Sequence, residues 1–206
     1  MSSWIRLAGC AALAVATVSV TTLAEAPRVG APAPAFTATD SHGKAERLDQ
    51  FKGKWVVLEW HNQGCPYTIK HYASGNMQNL QRTWTAKGVV WFTVISSAPG
   101  NQGYVTASQE NDYMAKMHAT PTAALLDPQG KLGHLYDAKT TPQMIVIDPA
   151  GKIAYDGAID SVESADQSDI KGADNYVNDA LTAALNGKPI ALSHTRPYGC
   201  SVKYAN

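Results

Sequence analysis

Trp55-Val56-Val57-Leu58-Glu59-Trp60-His61-Asn62-Gln63-Gly64-Cys65-Pro66 is the stretch that decides the fold. Its first half, Trp55 to Trp60, is an apolar run broken only by Glu59, the pattern of a strand buried on both faces of a sheet. Gly64, Cys65 and Pro66 then punctuate a helix start, with proline at the first helical position, where its missing N–H costs nothing. A strand that feeds directly into such a helix puts the Cys65 thiol among free backbone N–H groups, at the positive end of the helix dipole. That setting favours the thiolate, the nucleophilic form, and makes Cys65 the first candidate for chemistry; the alternative is a buried structural cysteine.

Working outward, the pattern predicts a helix from Pro66 to about Lys87, a strand from Val89 to Ser96, and a Gly/Pro/Asn loop from Ser97 to Tyr104. Thr106 with Gln109 three residues on signals a capped helix running to about His118. A short strand follows at Ala123 to Asp127, then a turn at Pro128-Gln129-Gly130 and a short helix at Leu132 to Tyr136. Met144 to Asp148 and Ile153 to Asp156 form a hairpin, and in a last helix Tyr176, Val177, Ala180, Leu181, Ala184 and Leu185 share one face. Upstream, Pro27 to Pro34 is an extended lead-in, Phe36 to Asp40 an edge strand and Ser41 to Lys44 a turn.

The N-terminus carries Arg6 and then an uncharged run from Leu7 to Leu23, the basic and apolar parts of a secretory signal. Cleavage after Ala24 is expected, leaving residues 25–206 as one domain with no stable membrane span, in the periplasm or otherwise exported. Cys10 stands in a lipoprotein-like box placed before the apolar core rather than after it, and leaves with the signal. Charge is balanced, with 17 basic and 17 acidic residues, so a nucleic-acid partner is excluded. Cys65 and Cys200 then remain, too few for a disulfide scaffold but enough for one redox pair in an oxidising compartment.

Three segments resemble the redoxins, the alkyl hydroperoxide reductase and thiol-specific antioxidant relatives within the thioredoxin superfamily. They are Gly30 to Phe36, Asn62-Gln63-Gly64-Cys65-Pro66-Tyr67, and Thr140 to Asp148 with its Thr141-Pro142 step. The tail Tyr198-Gly199-Cys200-Ser201-Val202-Lys203-Tyr204 is similar to that of a peroxiredoxin-like branch. The resemblance implies an α/β thioredoxin-like fold, a central mixed β-sheet flanked by helices, with Pro142 as a cis-proline. It implies an oxidoreductase that needs no cofactor, acting through Cys65 on a protein disulfide or a peroxide. It also implies a buried acid at Glu59 that relays protons; the other reading of Glu59 is a strand-end carboxylate held by lysine or solvent.

Departures from the family pattern narrow the chemistry. Thr68 stands where a disulfide exchanger has its second cysteine, while Asn62 and Pro142 stand where a peroxiredoxin has Thr or Ser and Arg, so weak peroxidase activity is implied. Cys200 is a resolving thiol, a structural staple or a free cysteine, and a Cys65–Cys200 disulfide is expected in the oxidised protein. Thr141 and Pro142 would offer a backbone edge beside the thiol to which a partner's extended chain could pair. His61, His71 and Cys65 are soft metal ligands without a recognised spacing, so no metal is assigned. The rival function is a thioredoxin-fold binding protein that uses the Cys65/Pro142 groove for a metal or peptide without turnover.

Overall fold

A computed structural model describes residues 27–205. The expected leader, Met1 to Ala24, and the first residues after it lie outside the described residues. Nine strands and five helices follow one another as β1 (Thr37–Asp40), β2 (Ala45–Arg47), β3 (Val56–Trp60), α1 (Pro66–Ala73), α2 (Asn76–Thr85), β4 (Val90–Ile95), α3 (Ala107–Lys116), β5 (Ala123–Leu126), α4 (Lys131–Leu135), β6 (Thr140–Thr141), β7 (Gln143–Ile147), β8 (Ile153–Gly157), α5 (Tyr176–Leu185) and β9 (Cys200–Ser201).

Seven of the strands make one mixed sheet in the order β2-β1-β5-β4-β3-β7-β8, with β3, β4 and β5 parallel and the other pairings antiparallel. β3 lies between β4 and β7, and all five of its residues are buried, which is why its sequence is nearly continuous in apolar residues. Alternation along the strand sends Val56, Leu58 and Trp60 into one core with Phe92, Ile145 and Tyr136, and Val57 into the other with Trp84, Trp91, Tyr155 and Leu181. Glu59 shares the parity of Val57, so its carboxylate enters the second core. This is the mixed sheet flanked by helices expected from the sequence.

Two local expectations are corrected. β1 is not an edge strand: β2 pairs outside it, with Ala38 opposite Glu46, and three short residues of mixed polarity gave no period to read. The helix expected from Pro66 to Lys87 is two helices, broken at Ser74-Gly75, where Gly75 adopts a left-handed φ of 76°. Gln78 ties the break down by donating to the carbonyls of Tyr72 and Met117, both at 2.8 Å.

The chain after α5 returns across the sheet's end and folds onto the start of α1. Thr195 bonds Tyr155 and the Ala158 amide, and β9 pairs antiparallel with β6, placing Cys200 opposite Thr141 and Ser201 opposite Thr140. Beyond it the Val202 amide bonds Lys139, Ala98 donates to the Lys203 carbonyl, and Tyr204 stacks on His134 at 3.9 Å while its hydroxyl donates to Ala138.

Candidate active site

Cys65 is the N-cap of α1, with extended backbone (φ −81°, ψ 124°) and Pro66 behind it. The loop before it is held by Asn62, whose side-chain oxygen accepts from the Gly64 amide at 2.9 Å and whose amide donates to Gln102 at 2.9 Å. Opposite stands the peptide bond between Thr141 and Pro142, which is cis. The Cys65 thiol is fully buried and donates to the Thr141 carbonyl at 3.0 Å. Cys200, in the paired strand, stands opposite Thr141 and is partly exposed. Cys65 and Cys200, the two cysteines among the described residues and about 135 residues apart in the chain, thus stand as free thiols on the Thr141 edge.

The two sulfurs are driven apart in acidity. Burial pushes the Cys65 thiol up, but hydrogen bonds from the side chains of Cys200 and Thr141 and from the amides of Thr68 and Cys200 favour its thiolate, and the net shift is downward. As a thiol, Cys65 spends its proton on the Thr141 carbonyl; as a thiolate, it becomes the acceptor for that ring of donors. Cys200 moves the other way, up to about 11, through burial and through its hydrogen bond and charge interaction with Cys65. Of the two, Cys65 is therefore the first to give up its proton. Alkylation of Cys65 by iodoacetamide, followed by peptide mapping against pH, is expected to show a midpoint below the ordinary cysteine value of about 8.5. In Cys200→Ser the midpoint should move, because the strongest of these donors is changed.

Glu59 is completely buried, bound neither to lysine nor to solvent. Its carboxylate accepts from the Tyr72 hydroxyl (2.8 Å), the Trp91 indole (2.8 Å), Gln81 (3.2 Å) and Thr93 (3.4 Å). Burial pushes it up to about 7, against the lowering effect of those four donors. These partners belong to α1, α2 and β4, whereas the Cys65 thiol bonds Thr141, so the two groups have no shared hydrogen bond. Two buried groups neighbour it: Glu110, which the sequence did not single out, and His61, read there only as a soft metal ligand. Glu110 of α3 is buried with neither oxygen hydrogen-bonded and is pushed up to about 7 by burial and by Glu59. His61 lies between Tyr72 (4.9 Å) and Tyr113 (5.2 Å) and is lowered to about 3 by burial, so it is neutral.

Cys65, His61 and His71 do not converge. His71 contacts Asn76 at 2.8 Å and Asp160 at 3.7 Å, away from His61, and no group of metal ligands occurs among the described residues. Lys70, Asp160 and Tyr198 form a buried cluster beside the thiol that sequence reasoning missed: Lys70 Nζ is 3.4 Å from Asp160, and the Tyr198 hydroxyl donates to the same carboxylate. Lys70 inside a helix and Asp160 after a strand carried no sequence signal, because the contact that joins them is made by the fold.

No curated protein matches the sequence. Among solved structures, a hypothetical protein from Sinorhizobium meliloti 1021 is similar with a TM-score of 0.72 at 16% identity, over 88% of this chain and 97% of that one. An uncharacterized conserved protein from Geobacillus kaustophilus gives 0.72 at 23% identity, over 86% and 93%. A thiol:disulfide interchange protein from Bacteroides sp. gives 0.51 at 21%, over 71% and 88%. These likenesses establish the thioredoxin fold. A family model matches residues 29–156, from the lead-in through Cys65 and the Thr141–Pro142 turn to β8, and leaves the tail with Cys200 outside. With more than half of its length and both walls of the site inside that match, the chain belongs to the AhpC/TSA family.

Proposed function

We propose that the protein is an exported thiol oxidoreductase in which Cys65 is the attacking thiolate and Cys200 the resolving thiol. The observation that carries this reading is the placement of both cysteines on one edge: the Cys65 thiol donates to the Thr141 carbonyl at 3.0 Å, and Cys200 pairs with Thr141 across β6 and β9. On a disulfide substrate, the Cys65 thiolate attacks one sulfur, and the other leaves as a thiolate. Cys200, giving up its proton, then attacks the mixed disulfide at Cys65, releasing the second substrate thiol and closing a Cys65–Cys200 bond. The substrate is reduced by two electrons and the protein is oxidised by two. A protein thiol is the class of reductant that reopens the bond. Glu59, with its raised affinity for a proton, is proposed to buffer protons in the core between α1 and β4. Thr141 and Pro142 are proposed to bind substrate backbone.

Mass spectrometry of the protein after exposure to oxidised glutathione, without reductant, tests this reading. A stoichiometric Cys65–Cys200 linkage is expected, formed through a glutathione adduct on Cys65. Two unmodified thiols after oxidation would overturn the reading and leave the rival, a groove that binds peptide without turnover.

Peroxide is the poorer substrate. Asn62 uses its side chain to hold Gly64 and Gln102, and Pro142 has no side-chain donor, so neither supplies a hydrogen bond to a peroxide oxygen. Stopped-flow oxidation of the reduced protein by hydrogen peroxide is expected to be at least about a hundredfold slower than in a site with oriented donors. A rate equal to that of dedicated peroxiredoxins would show other groups in that role.

A further inference from the structure

Exchange with a protein disulfide requires a movement, because Cys65 has no exposed surface and the tail lies against its sulfur. The tail pairs along the Thr141 edge whose carbonyl bonds the thiol, so the contacts of the tail describe a groove that a partner displacing it can fit. Thr140 and Thr141 pair antiparallel with Ser201 and Cys200, the way an extended segment adds to a free edge. At Gly199, φ is 132°, and a Cβ would stand 2.1 Å from the Thr141 carbonyl oxygen. A chain following this path therefore needs glycine immediately before its cysteine. One residue earlier, the Tyr198 ring lies edge-on to Tyr67 at 5.8 Å with Lys70 Nζ 5.9 Å from its centre, and its hydroxyl donates to Asp160.

The floor under that ring is charged. Lys70 and Asp160 are both buried; Lys70 also donates to the Val162 carbonyl at 3.0 Å, and the second Asp160 oxygen has no hydrogen-bond donor. Burying such a pair is costly, and an apolar floor would hold a structural tail as well. What a charged floor adds is discrimination: an occupant without a hydroxyl leaves Asp160 with the Val162 amide, at 3.0 Å, as its remaining hydrogen-bond donor.

Resting on the reading of Cys65 as the exchanging thiol, we infer that Tyr67, Lys70 and Asp160 form a substrate subsite for a tyrosine two residues before the reactive cysteine of a partner protein. The partner segment is extended, with glycine between tyrosine and cysteine, and Tyr198-Gly199-Cys200 occupies its place in the resting protein. During transfer the Cys65 thiolate attacks the partner's cysteine sulfur, and the sulfur previously bonded to it leaves with the electron pair.

The test uses the full chain as a Tyr198→Ala/Cys200→Ser variant, which vacates the subsite and removes the internal resolver. Synthetic peptides Arg-Pro-X-Gly-Cys-Ser-Val, their cysteine joined to thionitrobenzoate, are presented with X as Tyr, Phe or Ala, and release of the coloured thiolate is followed. The tyrosine peptide is expected to react about tenfold faster than the alanine peptide, with phenylalanine between them. Equal rates for all three overturn the subsite and leave the exchange chemistry standing. No transfer from any peptide, with Cys65 still alkylated by iodoacetamide, overturns the exchange reading itself. If Tyr198→Ala loosens the fold, Tyr198→Ser/Cys200→Ser also removes the ring from the subsite and gives the same ranking test.

Discussion

Cys65→Ser is expected to lower turnover in insulin reduction by about a thousandfold or more, to the rate of the reductant alone, because a serine hydroxyl at a helix N-cap does not ionise near neutral pH and has no adjacent base. Its helix should survive, since serine is a preferred N-cap. Cys200→Ser is expected to behave differently. The first displacement remains available, so one equivalent of substrate thiol is released in a burst, and the mixed disulfide on Cys65 then accumulates. Quenched-flow labelling with mass readout separates the two variants. A burst in Cys65→Ser, or steady turnover in Cys200→Ser without an added thiol, would contradict the assigned order of attack.

Glu59→Gln is expected to stabilise the protein increasingly as pH rises. The folded-state value of about 7 lies above the ordinary 4.5 because burial disfavours the charge. The folded protein therefore holds this proton more tightly than the unfolded chain, and the stability gained is whole below 4.5 and lost as pH climbs to about 7. A gap of this size corresponds to about 3 kcal/mol. Glutamine has nearly the same shape, still accepts through its oxygen and never ionises. Relative to the parent it should be near neutral at about pH 4.5 and more stable by about 3 kcal/mol at about pH 8. Comparing the two proteins isolates the effect, because His61 and His71, lowered to about 3 and about 4, pull the parent's own curve in the opposite direction. Glu110 reinforces the difference, since its raised value comes partly from the Glu59 charge. Urea unfolding at both pH values decides it, and a constant difference would mean that Glu59 is not protonated in the fold.

Where the physics is local, the fold was legible. β3 announced itself because a strand with neighbours on both sides and cores on both faces has few positions for polar residues, and the start of α1 because Cys65-Pro66 satisfies the geometry of a first turn. The Thr106/Gln109 capping box and the β7–β8 hairpin are likewise short-range and occur where the sequence places them. The Gly75 break was missed because a single glycine inside a helical pattern is tolerated as often as it terminates. Around the thiol, Cys65, Thr141 and Pro142 could be named in advance, whereas Asp160 and Tyr198 could not. Their meaning depends on a tail that crosses back over the sheet, and no periodicity reports where an irregular segment docks. Glu110 was hidden for a related reason, and His61 was read only as a soft metal ligand: burial of a polar side chain without a partner is a property of the packed core, not of its helix or loop.

The late position of β9 has a consequence for biosynthesis. Every strand of the large sheet is complete by Gly157, and the last helix by Leu185, before the tail strand exists. A chain made from its N-terminus builds the Cys65 end of α1, with the Thr68 amide beside the thiol, well ahead of the segment that covers it. Closing the contact spans most of the domain, a separation that makes it one of the slowest to form. In the interval between those events the nascent protein displays the Cys65 sulfur without its Cys200 donors and with no internal partner, and any oxidant or foreign thiol that meets it then has first access.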